Sequence, residues 1–154
     1  MEQLISTVAV VASVLVFAYQ AHELAVQSRV ANEVAGTQAH RELLSSYQPV
    51  YDVFLKYPNL HAMYFDATHV TPTTDDEIRL QLVAEMHADF LSMGVQTSRA
   101  LKSYAPWAHE WIDYVDGALA SSSRVRSEIR SKPTQYPLLQ SFLATYDGSA
   151  GSRS

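Results

Sequence analysis

An all-α chain is predicted, opening on a transmembrane helix that continues into a stalk and closing on a small helical bundle. Three observations carry that prediction. After Glu2 no charge occurs until Glu23, and the run from Leu4 to Tyr19, LISTVAVVASVLVFAY, is almost wholly apolar. Downstream, apolar side chains return at i, i+3, i+4 and i+7, the spacing of one buried helical face. No stretch shows sustained strand alternation, and no repeat recurs at a solenoid period. The expected organisation is a transmembrane helix over 1–22, a stalk helix over 23–48, a helical domain over 49–147 and a flexible tail over 148–154.

The first element follows from length. A bilayer core of roughly 30 Å needs about 20 helical residues. Gln3 to His22 supplies that length without a formal charge. The strictly apolar part covers only about 24 Å at the helical rise. Tyr19, Gln20 and His22 are therefore expected at the headgroups, where a Tyr ring is apolar and its hydroxyl wet. Two rival readings exist. A cleaved secretory signal normally opens on a basic region, and here the opening is Met-Glu-Gln, although Val16-Phe17-Ala18 offers a small-residue cleavage site. A buried helix of a soluble protein is the other rival, and an unbroken apolar run of this length argues against it. Basic residues occur only on the C-terminal flank, as Arg29 and Arg41, which favours a cytoplasmic C-terminal domain.

The stalk follows because nothing stops the helix. Between Gln20 and Ser45 there is no Pro, and Gly36 is the only Gly. A helix from Gln3 to Ser45 would be roughly 60–65 Å long. Pro49 ends or kinks it. Val50, Val53, Phe54 and Tyr57 then mark a short helix that Pro58 closes, and Leu60, Met63 and Tyr64 mark one further turn. Residues 67–74 read as a Thr/Pro loop around Pro72. Thr74 with Glu77 fits a capping box, and Asp75, Asp76 and Glu77 suit the positive end of a helix dipole. The helix they open runs to about Tyr104. Its expected apolar stripe is Ile78, Leu82, Met86 and Phe90 with Val83, Leu91 and Leu101, and Gly94 lies inside it at a cost in propensity. Pro106 suits a first turn ahead of Trp107, Trp111, Tyr114 and Ala118. Ser121-Ser122-Ser123 marks a break and a new cap before Val125 and Ile129. Pro133 closes that helix, and Pro137 opens the last one, with Leu138, Leu139, Phe142, Leu143 and Tyr146. Asp147-Gly148 is its expected end.

Composition narrows the function classes. The chain has 154 residues, a formal net charge of −5 and no cysteine. About 120 residues beyond the span can bury a core without staples. The acidic balance argues against nucleic acid as a partner. The absent cysteine excludes disulfides and Cys-based metal or nucleophile chemistry. The one basic cluster, Arg124, Arg126, Arg130 and Lys132 around Glu128, reads as a solvated helix face, or as a contact for anionic headgroups or an acidic partner.

Catalytic signatures are lacking. None of the six histidines lies three or four residues from another, so no helix carries a zinc-type His pair. Glu85 with Asp89, and His109 with Asp113, share helical faces and would converge as a carboxylate bundle site if those faces packed together. Exposed polar faces are the simpler reading. No nucleophile elbow and no phosphate-cradling glycine loop occurs. The chain is therefore expected not to be an enzyme, with no catalytic or metal residue and no cofactor. The aromatic set Tyr51, Phe54, Tyr57, Tyr64, Phe65, Trp107, Trp111 and Tyr114 reads as packed core, with a ligand cavity as the alternative.

One further pattern lies in the span. Ser6, Ser13, Gln20 and Gln27 are seven apart, and Ala9 with Ser13 is a small-xxx-small pair. Small residues let membrane helices approach, and Ser and Gln hydrogen-bond across the contact. This stripe is the expected oligomer interface. The lipid bilayer, further copies of the chain and a protein partner for the helical domain are the expected partners. Function reads as a non-catalytic, membrane-anchored interaction or self-assembly module. The alternatives are a membrane-tethered small-molecule sensor or enzyme with an aromatic pocket, and an oligomeric pore subunit with Gln20 and Gln27 at its mouth.

The layout of motifs adds a resemblance. A single N-terminal span leads into a Gln-bearing helix, then Lys56-Tyr57-Pro58-Asn59-Leu60, Tyr64-Phe65-Asp66, a Thr/Pro loop, a long helix with Glu85 to Phe90-Leu91, and Trp107, Trp111 and Tyr114. It closes on Ser123-Arg124-Val125-Arg126. In this the chain resembles uncharacterised bacterial single-pass membrane proteins with a C-terminal helical domain, over nearly its whole length. It departs from their pattern at Ser123, which lacks the usual following proline. The resemblance implies the architecture and a bacterial source, and no activity or site.

Overall fold

A computed structural model of the chain describes the backbone of residues 2–65, 71–100 and 108–151, and the side chains of residues 10, 13–65, 71–100 and 109–147. The described residues form the helices α1 (Glu2–Ser46), α2 (Gln48–Lys56), α3 (Pro58–Tyr64), α4 (Thr74–Ala100), α5 (Ala108–Ser121), α6 (Ser123–Ser131) and α7 (Pro137–Gly151). The all-α expectation holds among them.

The N-terminal helix is a single element of 45 residues. Val14, Leu15, Val16 and Phe17 are consecutive, so they face every side of α1, and all are more than half exposed. Ser6 and Ala9 of the expected interface lie outside the described side chains, while Ser13, Gln20 and Gln27 are exposed. Among the described residues, no helix is long and apolar enough to cross a membrane. The apolar run begins at Leu4, so much of it lies outside the described side chains. The C-terminal end of α1 is packed rather than projecting: Leu43 is buried, and the helix lies against α2 and α4.

Prolines set the next boundaries. Pro49 sits in the first turn of α2 and Pro58 opens α3, positions where a missing N–H costs nothing. Tyr47 and Tyr57 occupy the joints. The cap of α4 falls one residue earlier than expected. Thr73 Oγ1 accepts from the Asp76 amide at 3.2 Å, and the Thr73 amide reaches Asp76 Oδ2 at 3.3 Å. This is the reciprocal box of an N-cap; the Glu77 carboxylate instead receives Arg124. The carboxyl of Asp76 is held below the usual range, first by the Thr73 hydroxyl, which donates to it at 2.7 Å.

Helix α4 is the hub, packed by each of the other six helices. Its expected stripe is in part wrong. Ile78 and Leu82 are more than half exposed, and the buried face is carried by Leu80, Val83, Ala84, His87, Ala88, Phe90, Leu91 and Val95. A helix covered from several sides buries more than one stripe, and the side facing its partners is chosen by packing, not by the most apolar row. Leu101 and Trp107 lie outside the described residues. Gly94 allows close approach of the Trp111 ring, since a Cβ there would lie under 3.0 Å from three indole carbons.

Ser122 caps α6 by accepting from the Val125 amide, and it donates to the Tyr64 carbonyl at 2.8 Å. One hydroxyl thus joins α6 to the end of α3. Helix α7 continues past the expected stop at Gly148 to Gly151.

Candidate functional site

The aromatic residues of α2, α3, α4 and α5 do not close on one another completely. They line an open cavity of about 750 Å³, within the size range of small-molecule sites. Tyr47 contributes from the α1–α2 joint, and Tyr51, Phe54 and Leu55 from α2. Pro58 and His61 come from α3 with Phe65 just beyond it, His87 comes from α4, and Asp113, Tyr114, Gly117, Ala118 and Ser121 come from α5. A smaller hollow of about 210 Å³ lies beside it, lined by His40, Leu44, Phe90, Glu110 and Trp111, with Tyr47, Tyr51 and Tyr114 shared between the two.

The rings pack in edge-on and tilted pairs. Tyr47 lies 5.0 Å from Tyr51, 5.0 Å from His87 and 4.5 Å from Phe90, measured between ring centroids. Phe54 lies 5.2 Å from His61 and 5.3 Å from Tyr64. Trp111 and Tyr114 are 5.6 Å apart, both beside Phe90. Offset and edge-on contacts of this kind favour a fixed wall. Gly117 opens the floor: a Cβ there would meet nothing within 4 Å.

His87 and Tyr47 stand in this wall as buried polar groups, with Tyr64 behind His87. His87 is 2% exposed, and its Nδ1 lies 2.8 Å from the Tyr64 hydroxyl. Its Nε2 has no hydrogen-bond partner in the protein. Burial lowers the imidazole from 6.5 to about 4, so it is neutral at physiological pH. Burial raises the Tyr64 phenol. The Tyr47 phenol is raised chiefly by burial and further by Tyr114. At neutral pH the Tyr47 and Tyr114 phenols and the His87 imidazole of this wall are therefore uncharged, and one exposed carboxylate, Asp113, also lines the site.

The carboxylate pairs expected to face one another are separated. Glu85 receives Lys132 at 2.9 Å, and Asp89 receives the Tyr136 hydroxyl at 3.0 Å. Both thus face the α6–α7 side, away from Asp113. Among the described residues no group of three or more His, Asp or Glu is placed to hold a metal ion.

The basic cluster is paired within the fold on a face that stays partly exposed. Arg124 makes a two-pronged contact with Glu77 at 2.7 and 3.1 Å. Arg126 donates to the Leu119 carbonyl and lies over the Tyr146 ring. Arg130 meets Asp147 at 2.6 Å. Glu128 is only 2% exposed. Gln81 donates to its Oε2 at 2.6 Å, and Lys132 Nζ forms a 2.6 Å ion pair with Oε1 at an angle outside hydrogen-bond geometry. This buried group ties α4 to α6.

Tyr51, Phe54, Phe65 and Tyr114 were legible as cavity candidates from their type and spacing. Tyr47, His61, His87 and Gly117 were not. The available signal for His87 was its register, since Val83, His87 and Leu91 fall four apart on one face of α4. No protein-family model, no curated protein and no solved structure matches the chain.

Proposed function

We propose that the chain is a membrane-tethered small-molecule sensor, with the aromatic cavity between α2, α3, α4 and α5 as its ligand site and the N-terminal half of α1 as its anchor. The observation that carries the ligand reading is the unfilled cavity of about 750 Å³ with a buried, unpartnered imidazole nitrogen among its walls. A filled aromatic core would have argued for an interaction module alone. Supporting the anchor are the charge-free stretch from Gln3 to His22 and the exposed apolar residues that face all sides of α1. A helix apolar all round needs an apolar surrounding.

The ligand site is tested with 5-fluoroindole as probe, followed by ¹⁹F NMR against the full chain in lipid nanodiscs, with empty nanodiscs as reference. Saturable line broadening is expected for the wild type and not for Gly117→Leu, whose side chain enters the open floor without meeting protein atoms at Cβ. Equal behaviour of the two proteins would sink the ligand reading. The anchor is tested separately, by alkaline extraction of membranes bearing the full chain. Retention in the pellet is expected, and release into the supernatant would refute it.

Self-association through α1 is a second reading, favoured by the exposure of Ser13, Gln20 and Gln27 on that helix. Ser13→Leu with Gln20→Leu is expected to change the oligomer size in detergent, and an unchanged size would refute it.

A further inference from the structure

His87 lines the cavity and carries a buried polar atom, Nε2, that has no hydrogen-bond partner in the protein. The two ring nitrogens of a neutral histidine have opposite roles, one a donor and one an acceptor. The Tyr64 phenol is fully buried, and its hydroxyl lies 2.8 Å from His87 Nδ1. The nearby Ser122 hydroxyl gives its own hydrogen to the Tyr64 carbonyl. With the phenol donating to Nδ1, the imidazole hydrogen sits on Nε2. Nε2–H is a buried donor with nothing in the protein to receive it, and such a donor carries an uncompensated desolvation cost until an acceptor arrives.

We infer that the cavity takes an uncharged, mainly aromatic molecule bearing one hydrogen-bond acceptor, of the aryl ketone type, which receives the Nε2 hydrogen of His87. The inference rests on the reading of the cavity as a ligand site. Exposed Asp113 at the edge disfavours an anion, and at the buried His87 an N–H donor calls for an acceptor, not a cation. Tyr47 and Tyr114 bracket the imidazole, with centroids 5.0 and 6.2 Å from it. Tyr114 is the more exposed of the two, at 42%.

The test uses two isosteric probes, acetophenone and α-methylstyrene, which differ by a carbonyl oxygen against a methylene. Binding to the full chain in nanodiscs is measured by the ligand-dependent shift of its thermal unfolding, corrected with both probes for partition into empty nanodiscs. Acetophenone is expected to bind about tenfold more tightly, the ratio that one net hydrogen bond supplies. In His87→Phe the ratio is expected to fall to near one while the hydrocarbon still binds. Long-range ¹H–¹⁵N correlations of the wild-type histidines give a second readout that needs no variant, with the hydrogen expected on Nε2 and its resonance displaced by acetophenone alone. Equal affinity for the two probes, or a hydrogen found on Nδ1, overturns the recognition rule and leaves the ligand site standing. No binding of either probe overturns both.

Discussion

Lowering the pH from 7 to 5 should weaken the fold through His87. The imidazole is 2% exposed, and burial lowers it from 6.5 to about 4. The unfolded chain therefore binds a proton near pH 6.5 that the folded chain refuses until near pH 4. Stability rises with pH wherever the unfolded state holds more protons. The contribution of His87 is thus complete above pH 6.5, declines as pH falls through the window, and is gone near pH 4. At 1.36 kcal/mol per unit the whole gap amounts to roughly 3 kcal/mol, of which about 2 kcal/mol is lost by pH 5. The carboxyls of Asp76 and Glu77 are lowered in the fold, by Thr73 and by Arg124 respectively. Their contributions are present above the ordinary carboxylate range and fall away only below it, so they do not confuse this window. Urea titrations of the full chain, followed by far-UV circular dichroism at pH 7 and pH 5, give the loss directly. His87→Gln keeps an acceptor for the Tyr64 hydroxyl but cannot take the proton, and it should show about 2 kcal/mol less loss than the wild type between the two pH values. Identical losses for the two proteins would refute the assignment.

Gly94→Ala gains about 1 kcal/mol of helix propensity but drives a Cβ into the Trp111 indole. A net destabilisation of about 1–3 kcal/mol is expected, with loss of the Trp near-UV dichroism, and a stabilised variant would contradict the packing. Ser122→Ala removes the α6 cap and the donor to the Tyr64 carbonyl, and should cost about 2 kcal/mol in urea unfolding. Lys132→Met strands the buried Glu128 carboxylate; it should lower the unfolding midpoint, and adding Glu128→Gln should restore part of the loss.

Several helix boundaries were legible because the backbone chemistry that sets them is local. Pro49 and Pro58 sit in first turns, as their fixed φ demands, and the triple serine holds a cap because a hydroxyl next to a new helix can satisfy a free amide. Faces were harder to read. On α4 the apolar residues Ile78 and Leu82 are exposed, while Ala84, Ala88, His87 and Ser92 are buried. Polarity marks a buried face when a helix is covered on one side, but small residues mark it where neighbours come close. Glu128 read as surface because arginines flank it in sequence; in space its neighbours are Gln81 and Lys132. His87 lacked any motif, because its role comes from Tyr64 on another helix. Gly94 appeared only as a weak helix former, since the indole it admits arrives from α5.

Tyr47 stands where α1 ends, and it lines both hollows. At 45 residues, α1 is a long, bent helix with about 68 Å of path by the helical rise. That makes the joint at Tyr47 the fulcrum of a long lever. A rotation of about 5° there, no more than a side chain's width of repacking around the cavity, carries the far end of the helix through roughly 6 Å. The molecule thus has mechanical gain: because Leu43 and Tyr47 belong to the core, a small repacking there becomes a displacement as large as a helical turn at the other end.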